Sequence, residues 1–151
     1  MDSYLKHYIN GKWVDSIGGK RHEVISPSTE EPCTEITLGT QADVDAAVSA
    51  ARQAFKTFSQ TSREERIALM NRIIEEYKKR IPDFAKSMAA EMGAPVSFAT
   101  MAQAPAGLGG FLGTLPALEN FAFKEQHGAN TVVYEPIGVV GLITPWNWPL
   151  N

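Results

Sequence analysis

Apolar side chains recur along the first half of the chain with the spacing of helices. One stripe predicts a helix with a buried face, and its members are Val44, Ala47, Val48, Ala51 and Phe55. A second stripe predicts the next helix, through Ile67, Met70, Ile73, Ile74 and Tyr77. Thr40 is placed to cap the first helix, and Thr61 to Glu65 hold a capping box for the second.

Proline and glycine predict where the later helices begin and end. Pro82 suits the first turn of a third helix running to about Met92, and Gly93 and Pro95 end it. The apolar stretch from Val96 to Lys124 is interrupted by Pro105, Gly109, Gly110, Gly113 and Pro116. These interruptions favour a broken or kinked helix over a smooth one.

Short β-rich runs with turn residues between them predict strands. Asn10-Gly11 is a strong signal for a two-residue turn, so Tyr8 to Val14 is predicted to be a hairpin. Further strands are expected at Arg21 to Ile25, Glu35 to Leu38 and Thr131 to Tyr134, the last after a turn at Gly128 to Asn130.

The run from Ile137 to Ile143 is almost continuously apolar and carries no charge. Such a run is typical of a parallel strand covered on both faces. Thr144-Pro145 ends it, and ligands bind at the carboxyl ends of strands in open α/β sheets. Trp146 and Asn147 would then lie at a pocket. The alternative is a tight turn with aromatic side chains packed beneath it.

Composition narrows the possible functions. A net charge of -3 over 151 residues argues against nucleic acid as a partner, and no stretch approaches the ~20 apolar residues of a membrane span. The start of the chain lacks the features of a signal peptide, and one cysteine allows no internal disulfide. A cytoplasmic protein is therefore expected. Neither Cys33, in an acidic loop, nor the three histidines suggest a nucleophile or a metal site.

Several motifs, in order along the chain, together resemble the aldehyde dehydrogenase superfamily. Pro145-Trp146-Asn147-Trp148-Pro149 after Glu135-Pro136-Ile137-Gly138-Val139 is similar to its EPxGVxxxIxPWNFP signature. Upstream similarities lie at Tyr8 to Trp13, Ser26 to Thr29, Asp43 to Phe55 and Glu91 to Pro95. Trp148 replaces the usual Phe, and Ala94 replaces the usual Lys.

The resemblance implies roles for particular residues. Asn147 would donate its side-chain amide to the oxygen of a substrate aldehyde, whereas a turn Asn would bond its own backbone. Ile143, Thr144, Pro145 and Trp146 would line the pocket of the cofactor, NAD or NADP. Some members of the family hold a structural monovalent cation at positions that match Val24, Ile25 and Glu91. We favour the alternative that Glu91 is a solvent-facing residue at a helix end, so no metal is expected.

The resemblance also implies an α/β fold, namely the front portion of a Rossmann-like cofactor-binding domain with an N-terminal β-hairpin. This domain would occupy residues 1–151, and residues 129–136 would form part of an oligomerisation arm. The family's nucleophilic cysteine, its glutamate base and its catalytic domain lie further along than Asn151. The chain alone is therefore expected to be inactive, and the full-length protein to be a homo-oligomer. The rival hypothesis is a non-enzymatic module that associates with full-length relatives.

Overall fold

A computed structural model describes residues 4–151, which form three β-hairpins and a group of helices. The strands are β1 (Lys6–Ile9), β2 (Lys12–Asp15), β3 (Arg21–Ile25), β4 (Pro32–Thr37), β5 (Lys124–His127) and β6 (Asn130–Val133). The helices are α1 (Gln41–Phe58), α2 (Arg63–Met92), α3 (Val96–Phe98), a π-helical turn (Ala99–Gln103) and α4 (Ala104–Asn120). Within the described residues each hairpin is a separate antiparallel sheet of two strands.

The first hairpin confirms the turn predicted at Asn10-Gly11. Both residues have positive φ angles, 52° at Asn10 and 74° at Gly11, as a two-residue hairpin turn requires. Tyr8 pairs with Trp13 across the strands, and their ring centroids lie 5.1 Å apart.

The other two hairpins confirm the predicted strands and add one that was missed. β3 pairs with β4, and β6 pairs with β5. The sequence of β5, Lys-Glu-Gln-His, is polar throughout and has no β-branched residue, so nothing in its composition predicts a strand. Only its pairing with β6 makes it one.

The caps of both long helices are confirmed. The Thr40 side chain accepts from the Asp43 N–H while the Asp43 carboxylate accepts from the Thr40 N–H, a reciprocal capping box. Ser62 and Glu65 form the same arrangement at the start of α2. The predicted stripe of α2 is also confirmed, with Ile74 only 3% exposed.

The prediction of a third helix starting at Pro82 is wrong, because α2 runs through Pro82 for 30 residues. A proline inside a helix removes one backbone hydrogen bond. Here Ile81, Phe84 and Ala85, on either side of it, all pack into one cluster, so burial holds the two halves together. Gly93, with a φ of 71°, ends the helix as predicted.

The expected irregularity between Val96 and Lys124 is a π-helical turn. Pro105 lies at the start of α4, directly after this turn. A proline ring clashes with the carbonyl four residues earlier in a regular α-helix, and the wider π turn relieves that clash. Pro116 and the glycines at 109, 110 and 113 lie inside α4 rather than breaking it.

The hydrophobic core lies between the second half of α2 and the α3–α4 segment. Its buried members are Ala85, Met88, Ala99 and Ala104, and Leu150 packs against them. No large side chain among the described residues is fully buried. The core is therefore narrow, and small residues let the helices approach closely.

Two predicted burials are wrong. Ile137 to Ile143 is not a strand, and Ile137 and Ile143 are 92% and 99% exposed. On the predicted buried face of α1, Val44 is 53% exposed. A parallel strand needs neighbours, and none of the described residues pair with this run. The face of α1 is covered only in part, since Ala51 and Phe55 line a cavity with residues 138–140 while Val44 stays exposed.

Asp43 ties the first hairpin to α1. Its carboxylate accepts from Ser16 Oγ at 2.5 Å, from the Ile17 N–H at 2.9 Å and from the Thr40 N–H at 2.8 Å. The residue is 5% exposed. The hydrogen bond from Ser16, followed by those from Ile17 and Thr40, lowers the pKa of this carboxyl well below its ordinary value.

We expect Asp43→Asn to destabilise the chain and to flatten its response to acid. A carboxyl whose pKa is lowered by folding stabilises the folded state above its unfolded pKa of about 3.9, and this contribution is lost as the pH falls toward the folded pKa. Urea unfolding at pH 7 and pH 3 should show a smaller difference in unfolding free energy for Asp43→Asn than for the wild type. The exposed Asp45→Asn is the matched control; equal pH responses in wild type and Asp43→Asn would contradict the assignment.

Candidate functional site

The segment from Thr144 to Asn151 folds back onto the helices and carries the candidate site. Trp148 packs edge-to-face against Phe98 of α3, with ring centroids 5.8 Å apart. Pro149 is half-buried, and Leu150 packs against the core cluster. The end of the segment is thus held by apolar contacts.

One hydrogen bond holds the backbone of this segment at Asn147. The side-chain Nε2 of Gln103 donates to the backbone carbonyl of Asn147 at 2.9 Å. Gln103 ends the π-helical turn and is 6% exposed. Because a π turn contains an extra residue, it changes the direction in which the following side chains point. The amide of Gln103 is therefore turned inward to meet the segment.

Gly107 of α4 allows the segment to lie close to the helix. A Cβ atom at this position would overlap the carbonyl oxygen of Leu150 and would lie 2.6 Å from the hydroxyl oxygen of Tyr77. Tyr77 donates its hydroxyl hydrogen to the Ala104 carbonyl at 2.7 Å. Burial raises the pKa of Tyr77, so the hydroxyl remains a donor at neutral pH.

The predicted site residues lie together on an exposed part of this segment. Ile143 is 99% exposed and Trp146 is 85% exposed, and Thr144, Pro145 and Asn147 are also exposed. Among residues 4–151, no group is hydrogen-bonded to the side chain of Asn147, whereas its backbone carbonyl is bound. The segment therefore combines a fixed backbone with a free side-chain amide.

A cavity of about 310 Å³ lies beneath Trp146, between the segment and α2. Val24 and Glu91, two of the three positions matched to a structural cation, both line it. No cluster of three or more His, Cys, Asp or Glu side chains suited to a metal ion occurs in the part of the chain that the structure describes. Cys33 donates its thiol hydrogen to the Val24 carbonyl at 3.2 Å, within the β3–β4 hairpin.

Comparison with known proteins identifies the family of this chain. The sequence profile of the aldehyde dehydrogenase family matches residues 13–151. The chain belongs to the aldehyde dehydrogenase family. It is 47% identical to the 3-succinoylsemialdehyde-pyridine dehydrogenase of a Pseudomonas species over all of its own length and 32% of that protein.

Solved structures of aldehyde dehydrogenases share the fold. An aldehyde dehydrogenase from Bartonella henselae superposes with a TM-score of 0.95 at 44% identity, covering 100% of this chain and 33% of that one. A mutant of aldehyde dehydrogenase C from Pseudomonas syringae, solved with NAD+ and octanal, superposes with a TM-score of 0.94 at 38% identity, covering 98% and 30%. The family resemblance and the fold class, part of an α/β aldehyde dehydrogenase domain, are thereby confirmed.

The chain spans about a third of the length of the aldehyde dehydrogenases it matches. The family uses NAD+, which is bound in several of the solved relatives. No helix within residues 4–151 has both the length and the apolar character needed to cross a membrane.

The sequence alone did not identify Gln103 or Gly107 as residues that contact the segment from Thr144 to Asn151. Gln103 is one of two polar residues between Ala99 and Phe111. Its isolation in an apolar stretch was the one feature of the sequence that could have marked it as a buried polar residue. Gly107 was indistinguishable from its neighbours at 109 and 110, because only the tertiary contact with Leu150 separates them.

Gly107→Ala should destabilise the chain by about 1–3 kcal/mol, because the added methyl group has no room between Tyr77 and Leu150. Gly110→Ala is the matched control in the same helix. Its Cβ would meet nothing within 4 Å, so higher helix propensity should stabilise the chain by up to about 1 kcal/mol. Urea unfolding of both variants measures the difference, and equal effects would refute the close contact.

Proposed function

We propose that this chain supplies the N-terminal third of an NAD(P)-dependent aldehyde dehydrogenase that oxidises an aldehyde to a carboxylic acid. The observation that carries the proposal is the state of Asn147, whose carbonyl is bound by Gln103 while its exposed side chain has no partner among the described residues. An asparagine that served only to form a turn would use its side chain on nearby backbone. This one is available to a ligand.

Asn147 would act as the oxyanion donor. When a nucleophile adds to an aldehyde, the carbonyl oxygen gains negative charge, and a donor fixed in advance stabilises that charge without reorganising. The amide of asparagine is neutral, so it donates a hydrogen bond without transferring a proton. Loss of one such donor typically raises the barrier by about 3 kcal/mol. The nucleophilic cysteine and the glutamate base would come from the part of the enzyme beyond Asn151.

Ile143, Thr144, Pro145 and Trp146 would form one wall of the cofactor pocket. Their exposure and largely apolar character fit a surface that the flat nicotinamide ring covers. Bound NAD+ or NADP+ would accept the hydride from the substrate. The two proline residues at 145 and 149 restrict the backbone on either side of Asn147, which keeps this wall and the oxyanion donor in a constant relation.

We assign residues 1–151 to the cofactor-binding domain and residues 129–136 to part of an arm that joins subunits. The arm corresponds to β6 and the residues next to it, where Val133 and Tyr134 remain 56% and 46% exposed. Arg63 donates to the backbone carbonyls of Glu119 and Phe121 at the end of α4, and the Phe121 ring packs edge-to-face against Tyr134 of the arm. A firmly held base with an exposed strand suits pairing with a second subunit.

A second candidate function is a non-enzymatic module that binds full-length relatives. The observation that favours it is an uncovered apolar surface formed by α1 and residues 137–143. Phe58 and Val140 are 52% and 60% exposed, and both line a cavity of about 270 Å³ between these elements. Such a surface favours association with another chain.

A chimaera tests the enzymatic role. Residues 1–151 would replace the matching third of the 47% identical Pseudomonas dehydrogenase. We expect the chimaera to oxidise the aldehyde substrate of that enzyme with NAD+, and Asn147→Ala to lower kcat by about 10²–10³-fold. Steady-state kinetics, followed as NADH formation, provide the measurement.

Asn151→Ala, at the neighbouring end of the same segment, serves as the control and should change kcat less than twofold. An inactive but folded chimaera would overturn the proposed function. Full activity of Asn147→Ala would overturn the role of Asn147 alone.

The isolated 151-residue chain should show no aldehyde oxidation, because it carries the proposed donor without the nucleophile. Gel filtration with and without the intact Pseudomonas relative tests the second candidate. A defined mixed complex would support the module, whereas separate elution or aggregation of the chain would exclude it.

A further inference from the structure

The buried amide of Gln103 has no adequate structural explanation. Gln103 is 6% exposed and lies beside Ala99 and Ala104, which are both fully buried. A polar group removed from water destabilises the fold unless all of its hydrogen bonds are replaced. Its Oε1 has no hydrogen-bond partner within residues 4–151, so the replacement is incomplete. An apolar side chain of similar size would suit the stability of this helix better.

The one side-chain hydrogen bond that Gln103 makes within residues 4–151 is directed at the candidate site. Its Nε2 donates to the carbonyl oxygen of Asn147 at 2.9 Å across 44 positions of sequence. The next residue, Trp148, is held by Phe98, and Pro149 follows with a restricted φ. The peptide after Asn147 is therefore fixed by Gln103 on its oxygen and by packing immediately beyond it.

We infer that Gln103 is a positioning residue that holds the backbone of Asn147 so that the Asn147 side-chain amide points at the reacting oxygen. This inference rests on the proposed function of Asn147. With the carbonyl fixed, only the two side-chain torsions of Asn147 remain to be ordered. Without the bond from Gln103, the peptide can rotate, and a displacement near 1 Å in such a group is enough to lower a rate by about 10²-fold.

The π-helical turn accounts for why Gln103 can reach this carbonyl. The turn places Ala99, Gln103 and Ala104 together on its buried side. In a regular helix, by contrast, adjacent side chains point in directions about 100° apart. Gln103 ends the turn, and Ala104 begins the helix that packs on α2. Two adjacent residues therefore have these two tasks: Ala104 packs α4 against α2, and Gln103 binds the carbonyl of Asn147.

The test uses the chimaera, which retains the whole chain. Gln103→Leu keeps most of the side-chain volume and removes the donor, and Gln103→Met is a second variant in case the branched side chain disturbs packing. Thr100→Val is the matched control, because Thr100 lies in the same π turn and donates only to the carbonyl of Val96. Each change is made in the wild type and in Asn147→Ala, and kcat, KM and amide hydrogen exchange of residues 147–151 are measured.

If Gln103 positions Asn147, Gln103→Leu should lower kcat about tenfold or more with less than a twofold change in the KM for NAD+. The same change in the Asn147→Ala background should lower kcat less than twofold further, because nothing remains to be positioned. Amide exchange in residues 147–151 should accelerate for Gln103→Leu and Gln103→Met, but not for Thr100→Val.

Four outcomes would overturn the inference, and together they separate it from the proposed function. Unchanged exchange in both Gln103 variants would show that the bond does not hold the segment. A similar loss of kcat in the presence and absence of the Asn147 side chain would show that Gln103 acts elsewhere. If Asn147→Ala keeps full activity, the proposed role of Asn147 fails, and the positioning role of Gln103 fails with it. If Asn147→Ala loses activity while Gln103→Leu remains fully active, only the positioning role fails.

Discussion

The close packing of α4 and the C-terminal segment against α2, made possible by Gly107, is the constraint on which the rest of the structure depends. The backbone at Gly107 lies against both the Leu150 carbonyl and the Tyr77 hydroxyl, where a side chain would not fit. Tyr77 extends the contact by donating to the Ala104 carbonyl, and Leu150 completes the core cluster. Three parts of the chain that are distant in sequence meet at Gly107, namely α2, α4 and the segment from Thr144 to Asn151. We call this contact the seam, and it holds the helices and the segment together.

The seam explains how an exposed site can still be ordered. Residues 143–147 have little packing of their own, and the prolines and half-buried Trp148 and Leu150 connect them to the core. The exposed side of the segment, the face of α1 at Val44 and Phe58 and the unpaired run at 137–143 all present open apolar surface within the described residues. The chain spans about a third of the length of the relatives that it matches, and in an α/β sheet such apolar surface is covered by neighbouring elements.

Local signals predicted local structure well. The Asn10-Gly11 turn, the capping residues Thr40 and Ser62 and the stop at Gly93 act within a few residues of themselves, so their effects could be read directly. Errors arose where distant contacts decide. Pro82 was expected to begin a helix, yet packing of the residues around it carries α2 through, and polar β5 is a strand only because β6 pairs with it.

The sequence by itself determined the family, the first hairpin, the caps of the two long helices and the place of the Asn147 motif along the chain, because the signals that carry them are short and contiguous. The tertiary structure alone decided that Ile137 to Ile143 remains unpaired, that Gly107 differs from Gly110, and that Gln103 reaches the carbonyl of Asn147. Each of these depends on atoms many residues away in sequence. Each of these features, whether strand pairing, close backbone approach or a buried hydrogen bond, involves two partners. The residue pattern along one stretch of the chain describes only one of the two partners.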